Sequence, residues 1–359
     1  MDFYWNAFGP VNLALDLAIA GTFFLFIFIN ARLQPAKTVF TIVRQAGLGA
    51  VFLWVLAGLF IGGIIGFSLI ARMFWTLFTA ALPLVLAFYA SRTKKIALLI
   101  PALLLLAFKY YGEVFEPNRL EVEHAVITIN GLKKSVKIAH LSDLQTDGLR
   151  TMHEGVLKAV NGYEPDFIFF TGDMMNHPSL EGKIKAYLAE FKSRHGSFFV
   201  SGNVDQLLNM KEFFHGTGFE YLDREQRTLR LQAGTIGVIG LGLDDFADRK
   251  TLEGLLAKAG RTDATLLLSH LPDTLGTAAG LPVGVLFSGH THGGQVCLPW
   301  FGPLVTMSGV PRGIAAGGIH KIDSLYVVVT RGLGMEGHIA PRVRLFCRPH
   351  IFLLELKPA

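Results

Sequence analysis

The chain has 359 residues, 51% of them hydrophobic, and a mean hydropathy of +0.43, which excludes an ordinary water-soluble protein. The net charge of +5 is unevenly placed: up to Gly112 there are eight Lys and Arg against Asp2 and Asp16, and beyond it 25 basic residues against 26 acidic ones. The positive excess therefore belongs to the apolar N-terminal portion and makes no case for nucleic acid as a partner.

From Val11 to Gly112 the only acidic residue is Asp16. Residues 11–30 predict a first membrane span. Residues 45–90, which hold the single charge Arg72, are too long for one helix of about 20 residues and predict two spans, with a turn between Gly66 and Trp75. Residues 96–111 predict a fourth, with Pro101 inside it. The composition divides the chain into a transmembrane helical region, 1–112, a connector with a first strand, 113–133, and a domain, 134–359. The first connection carries Arg32, Lys37 and Arg44, the third Arg92, Lys94 and Lys95, the second only Arg72, and Met1–Pro10 no basic residue. The positive-inside rule then predicts a multi-pass protein of the cytoplasmic (inner) membrane, with both termini and the domain extracytoplasmic. The same lack of basic residues argues against a cleaved signal peptide. Asp16 is expected to reach water at the outer end of its span rather than to mark a pathway. With Cys297 and Cys347 as the only cysteines, a zinc site of four thiolates is excluded, and one disulfide or two unpaired thiols stay open.

Beyond the membrane portion, strands and helices mix. Residues 125–129 and 136–141 read as strands joined at Asn130-Gly131, a hairpin signal. Helical character follows at 151–160, a strand at 167–170, an amphipathic helix at 180–191 and a strand at 197–200. Strands around Ala233-Gly234 (229–241), a helix at 252–259, and strands at 265–268, 283–287, 326–329, 343–346 and 351–356 complete the pattern. Five of the apolar strands deliver polar residues at their ends: Asp143, Asp173, Asn203, His270 and the pair His290 and His292. Each alone suits a turn. Five together at the carboxyl edge of an α/β sheet describe oxygen and imidazole ligands converging on a two-metal site suited to phosphoryl displacement.

The order Asp143-Leu144-Gln145, Gly172-Asp173, Gly202-Asn203-Val204-Asp205, His270, Gly289-His290-Thr291-His292 resembles the calcineurin-like metallophosphoesterases, in particular their membrane-anchored bacterial branch, over about residues 136–356. The resemblance implies a four-layer α/β/β/α sandwich and a dinuclear Mn, Fe or Zn centre. By position, Asp173 would bridge both metals. Asp143, with Gln145, and His292 would hold the first, and Asn203, His270 and His290 the second. A bridging hydroxide would be the nucleophile, so that Asp173, Asn203 and His290 act in catalysis through it.

Two positions depart from the pattern. Gln145 stands where the family has His. Its neutral amide oxygen should weaken the first metal and favour Mn. Val204 stands where the family has the His thought to protonate the leaving group, leaving Asp205 or His177 as substitutes. The implied function is hydrolysis of a phosphoester or pyrophosphate bond, with the lipid bilayer and a phosphorylated small molecule or lipid-linked substrate as partners. Gly293, Gly294 and Arg344 are candidates to position phosphate, with Arg344 equally a structural partner. The alternative is a catalytically weak or inactive metal-binding relative acting as a membrane-tethered binding protein.

Overall fold

The computed structural model describes residues 9–34, 37–205 and 209–359. Met1–Phe8, expected to face outward, lie outside the described residues. The chain forms two compact units: residues up to Phe115 with Glu336–Val343, and Glu116–Met335 with Arg344–Ala359.

The first unit is helical: α1 (Gly9–Leu33), α2 (Val39–Ile61), α3 (Gly63–Thr76), α4 (Leu82–Thr93) and α5 (Leu99–Tyr110). A π-turn, Leu77–Ala81, fuses α3 and α4 just before Pro83, a residue with no N–H to give the ladder. Among the described residues, four helices are long and apolar enough to cross a membrane: Pro10–Leu33, Val39–Ile61, Gly63–Thr93 and Ile96–Asn118. The turn expected between Gly66 and Trp75 is instead at Gly62 and Gly63, whose φ values of +70° and +54° only glycine adopts without a Cβ penalty.

Arg72 is accordingly no loop residue but a buried one within α3. Its Nη1 donates to Asp16 Oδ2 at 2.9 Å and to the Asn12 carbonyl at 3.4 Å. Its Nη2 donates to Asn12 Oδ1 at 2.8 Å and to the Ala340 carbonyl at 2.9 Å, and its Nε to the Ile339 carbonyl. All five guanidinium N–H groups thus have a partner. Asp16 does not simply reach water, as expected, but neutralises Arg72 and accepts the Thr76 hydroxyl at 2.5 Å. The pairing makes both charges tolerable in an apolar helix bundle.

The second unit opens with β1 (Glu121–Ile129), β2 (Val136–Leu141), α6 (Thr151–Tyr163), β3 (Phe167–Thr171), α7 (Glu181–Ala189) and β4 (Gly196–Val200). Then come α8 (Met210–Phe214), β5 (Phe219–Tyr221), β6 (Glu225–Leu231), β7 (Gly234–Gly240), α9 (Arg249–Ala259), β8 (Ala264–Leu268), α10 (Thr274–Ala278) and β9 (Val285–Ser288). The chain closes with β10 (Cys297–Leu298), β11 (Gly302–Pro303), α11 (Arg312–Ala315), β12 (Gly318–Ile322), β13 (Leu325–Val329) and β14 (His350–Pro358).

Two six-stranded sheets run β1-β14-β2-β3-β4-β5 and β12-β13-β9-β8-β7-β6. Their facing sides share a core that includes Phe167, Phe169, Phe287 and Phe352. The outer face of the first sheet is covered by α6, α7 and α8, that of the second by α9, α10 and α11. This is the four-layer α/β/β/α arrangement. At about 1.5–3 kcal/mol per fully buried large side chain, the cores carry the stability and allow strained backbone at the strand ends.

Two local expectations fail. β1 and β2 do not form a hairpin across Asn130-Gly131, because β14, from the other end of the chain, lies between them, parallel to β1 and antiparallel to β2. Residues 343–346 form no strand; Leu345 makes a single bridge to Val296. Arg344 there is fully buried and donates to the carbonyls of Arg331, Gly332, Gly334 and Cys347, so it braces the backbone and has no access to phosphate. Cys297 and Cys347 are both free thiols.

Candidate metal centre

β2, β3 and β4 run parallel in one sheet, and β8 and β9 run parallel in the other. Each leaves its sheet at the same edge, and residues two to four positions further on supply the polar groups. Asp143, Gln145, Asp173, His290 and His292 all have positive φ (50°, 24°, 59°, 68° and 48°). Such conformations cost about 1–3 kcal/mol each in residues other than glycine and cluster where function holds them. Gly289 permits the closest approach: a Cβ there would lie 1.8 Å from Ser142 Oγ and 2.3 Å from Asp143 Oδ2.

The best-defined group is built on His270. Its Nδ1 donates to the Thr171 carbonyl at 2.7 Å, which leaves Nε2 as the nitrogen that can ligate once it is deprotonated. That nitrogen lies 3.3 Å from Asp173 Oδ2, 3.1 Å from Asn203 Oδ1 and 3.2 Å from His290 Nδ1. His290 Nδ1 is in turn 3.0 Å from Asn203 Oδ1, while its Nε2 donates to the Met307 carbonyl at 3.3 Å. Four donor atoms are thus linked by separations of 3.0–3.3 Å. Ligands about 2.1 Å from one ion stand about 3 Å apart when at right angles.

The second group is built on Asp143. Its carboxylate accepts the His290 backbone N–H at 3.1 Å and lies 3.5 Å from His292 Nε2. Asp143, Asp173 and His270 offer ligand atoms all within 4.8 Å of one another and could hold a metal ion. Gln145 Nε2 donates to Asp173 Oδ2 at 2.9 Å. Its buried Oε1 has no hydrogen-bond partner among the described residues, as expected of an atom whose partner is a cation.

Burial shapes the charges. His270 is buried, which works against its positive form, but Asp173 and Asp143 outweigh this and raise its pKa to about 10. Burial and the Asp173 charge raise Asp143 to about 7, although His270 acts against them. Burial and the charge of His270 lower His290 to about 4. His292 is driven well below the usual imidazole range by burial and then by Arg344. A cation-free cavity therefore keeps a proton on His270, while two imidazoles stay neutral, the form in which they ligate metals.

All seven expected ligands, Asp143, Gln145, Asp173, Asn203, His270, His290 and His292, are brought together. The two substitute acids are not free for the task. Asp205 accepts the backbone N–H groups of Asp173 (2.7 Å), Met174 (2.9 Å) and Gly202 (2.8 Å) and so braces the loop. His177 binds Ser179 through Nδ1 and caps a short helical turn. Val204 presents only its backbone, its N–H donating to Asp173 Oδ1 at 2.8 Å. Thr171, Ser142 and Met307 also serve the site without belonging to its ligand motifs. Their contributions are two carbonyls, and a hydroxyl that donates to the Thr171 carbonyl at 2.6 Å, none of which leaves a sequence signature.

The calcineurin-like phosphoesterase family model matches residues 136–294. The chain is 31% identical over 265 residues to the uncharacterized metallophosphoesterase YkuE of Bacillus subtilis (strain 168), covering 69% of this chain and 89% of that protein. It is 28% identical over 230 residues to the uncharacterized metallophosphoesterase YkoQ of the same organism, covering 61% and 83%. It is 24% identical over 307 residues to the UDP-2,3-diacylglucosamine pyrophosphatase LpxG of Chlamydia muridarum (strain MoPn / Nigg), covering 66% and 91%. The α/β/β/α sandwich with metal-binding residues at its strand ends defines a metallophosphoesterase, a hydrolase acting on ester bonds. The chain belongs to the calcineurin-like phosphoesterase family, with four candidate membrane helices ahead of that fold.

Proposed function

We propose that this chain hydrolyses a phosphoester or pyrophosphate bond of a membrane-associated substrate at a dinuclear metal centre. The carrying observation is the set His270 Nε2, His290 Nδ1, Asn203 Oδ1 and Asp173 Oδ2, linked by separations of 3.0–3.3 Å, beside the Asp143–His292 pair. In this reading Asp143, Gln145 and His292 would hold one metal, Asn203, His270 and His290 the other, and Asp173 would be shared by both. Two divalent ions, Mn favoured by the neutral oxygen of Gln145, would supply an activated water and neutralise phosphoryl oxygens when bound.

The chain's own residues set what surrounds that chemistry. Thr171 fixes the tautomer of His270, and Met307 that of His290. The Val204 side chain offers no proton to a leaving group, and Asp205 is occupied by three backbone amides. That supports substrates whose leaving group needs no proton: a phosphate, as in a pyrophosphate, or a phenolate. The pyrophosphatase activity named for the Chlamydia relative agrees with this. The candidate membrane helices support a lipid-linked substrate. The basic residues of the connections (Arg32, Lys37 and Arg44; Arg92, Lys94 and Lys95) support a catalytic domain on the outer face of the inner membrane.

Metal analysis of the full chain, with turnover of an aryl phosphodiester, an aryl phosphomonoester and a nucleoside-diphosphate-linked lipid, tests the reading. Asp173→Asn and His290→Ala should abolish turnover and lower the bound metal. Metal at full occupancy with no turnover on any of the three would favour the binding-protein alternative.

A further inference from the structure

Among the described residues of the second unit nine large hydrophobic side chains are exposed, and six of them, Leu298, Trp300, Phe301, Leu304, Val305 and Met307, lie in the segment that follows the His290 and His292 loop; Val126, Leu149 and Phe346 are the others. Leu298, Trp300, Phe301, Leu304 and Met307 belong to a stretch with no charged residue between His292 and Arg312, and Phe346 neighbours it through Leu345. Trp300 is wholly exposed, at 104% of its reference area. The stretch is organised. β10 and β11 pair antiparallel, Cys297 with Pro303 and Leu298 with Gly302, and put Trp300 and Phe301 at the tip. Its base is held at both ends: the Cys297 N–H donates to the Leu345 carbonyl at 2.9 Å, and Met307 accepts from His290.

Single exposed apolar residues are ordinary, whereas a concentration of this kind marks an interaction surface. The chemistry here is that of a membrane interface. Trp and Phe sit at a turn with no acidic residue, and Arg312 lies over the Phe301 ring at 4.2 Å, a cation of the kind that pairs with anionic headgroups. The helices of the first unit keep a bilayer present for every copy of the chain.

We propose that the hairpin Cys297–Pro303 and the segment after it to Met307 form a membrane-inserting element that seats the metal centre on the lipid surface. Trp300 and Phe301 enter the acyl boundary and Arg312 lies at the headgroups. Because Met307 orients His290, the element joins lipid contact to the ligand nearest the loop. The proposal rests on the reading of the substrate as membrane-associated and adds the means by which the site meets it.

The four tryptophans make the test direct. With Trp5, Trp54 and Trp75 changed to Phe, the full chain in lipid nanodiscs reports on Trp300 alone. The emission should be blue-shifted, lose most of its intensity with phospholipids brominated near the top of the acyl chains, and resist aqueous iodide. Red-shifted emission quenched by iodide and not by brominated lipid would overturn the proposal. So would blue-shifted emission insensitive to brominated lipid, which would assign the surface to a protein partner or a second copy. If the triple variant does not fold, the difference in emission between the native chain and Trp300→Phe gives the same quantity. The readout needs neither metal nor turnover. Turnover with an unquenched Trp300 sinks the insertion alone, and a quenched Trp300 in a chain that never turns over sinks the catalytic reading alone.

Discussion

Gln145 Nε2 lies 2.9 Å from Asp173 Oδ2, so the residue that replaces a family histidine is hydrogen-bonded to the carboxylate read here as the metal bridge. The side chain gives an amide hydrogen to that carboxylate and keeps a buried oxygen that has no hydrogen-bond partner among the described residues and that a cation would satisfy. Gln145→His should therefore tighten the first metal position, on the order of tenfold, and shift preference from Mn toward Zn or Fe. Competitive loading followed by metal analysis measures this. An unchanged metal preference would show that Gln145 does not face the first metal.

Val204 is the second departure. Its side chain is buried and apolar, and neither Asp205 nor His177 is free to replace the missing acid. The native chain should cleave aryl esters and pyrophosphates far faster than simple alkyl esters. Val204→His should raise the alkyl rate relative to the aryl rate, by about tenfold or more if a positioned acid is restored. Equal alkyl and aryl rates in the native chain would sink this argument.

His270 carries the pH dependence of metal uptake. Asp173 and Asp143, acting against burial, hold its pKa at about 10 without metal, yet its Nε2 must lose its proton to ligate. Metal binding should thus release a proton, and affinity should rise with pH from neutrality to about 10. The matching stability follows the same sign. A raised folded pKa stabilises the metal-free chain fully below the unfolded value near 6.5, and that stabilisation is lost as pH rises toward 10. Calorimetric titration of the metal-free chain in buffers of different ionisation enthalpy counts the proton. The gap in melting temperature between the native chain and His270→Gln, both metal-free, should shift against the native chain as pH rises through that window.

Arg72 holds Asp16, Asn12 and two carbonyls of the 336–343 segment at once. Arg72→Leu leaves those acceptors and the Asp16 carboxylate unmatched, for a loss of about 1–3 kcal/mol. The thermal midpoint in nanodiscs should fall, and protease should cut faster within residues 336–343. Asp16→Asn should show a smaller version of both. Unaltered cutting in Arg72→Leu would mean the segment is held by other groups.

Much of the second unit was legible because its strands are apolar runs that stop at ligand-type residues; Phe167–Thr171 ending in Asp173 is the clearest case. What escaped was non-local. Nothing near Asn130-Gly131 announces that β14 will separate β1 from β2. Arg72 looked like a loop residue because its neutralising partner stands 56 positions earlier. The left-handed backbone of Asp143, Asp173 and His290 has no compositional mark, since it is imposed by packing around residues that would avoid it. The β10–β11 hairpin escaped because two paired residues per strand carry no periodicity.

The path of the chain sets how far the two units can be taken apart. The backbone leaves the second unit at Met335 and comes back at Arg344, so the eight residues between belong to the helical unit. Cutting the gene at Glu116 would divide the first unit, because residues 336–343 would go with the second. It would leave Ile339 and Ala340 without Arg72, on a stretch that begins just beyond Gly334, whose carbonyl Arg344 clasps. A soluble fragment for crystallisation should instead carry a short replacement linker across 336–343. The helices, in turn, are more than a leash: through Arg72 they hold Ile339 and Ala340, a piece of the polypeptide that both its neighbours in sequence leave to the first unit.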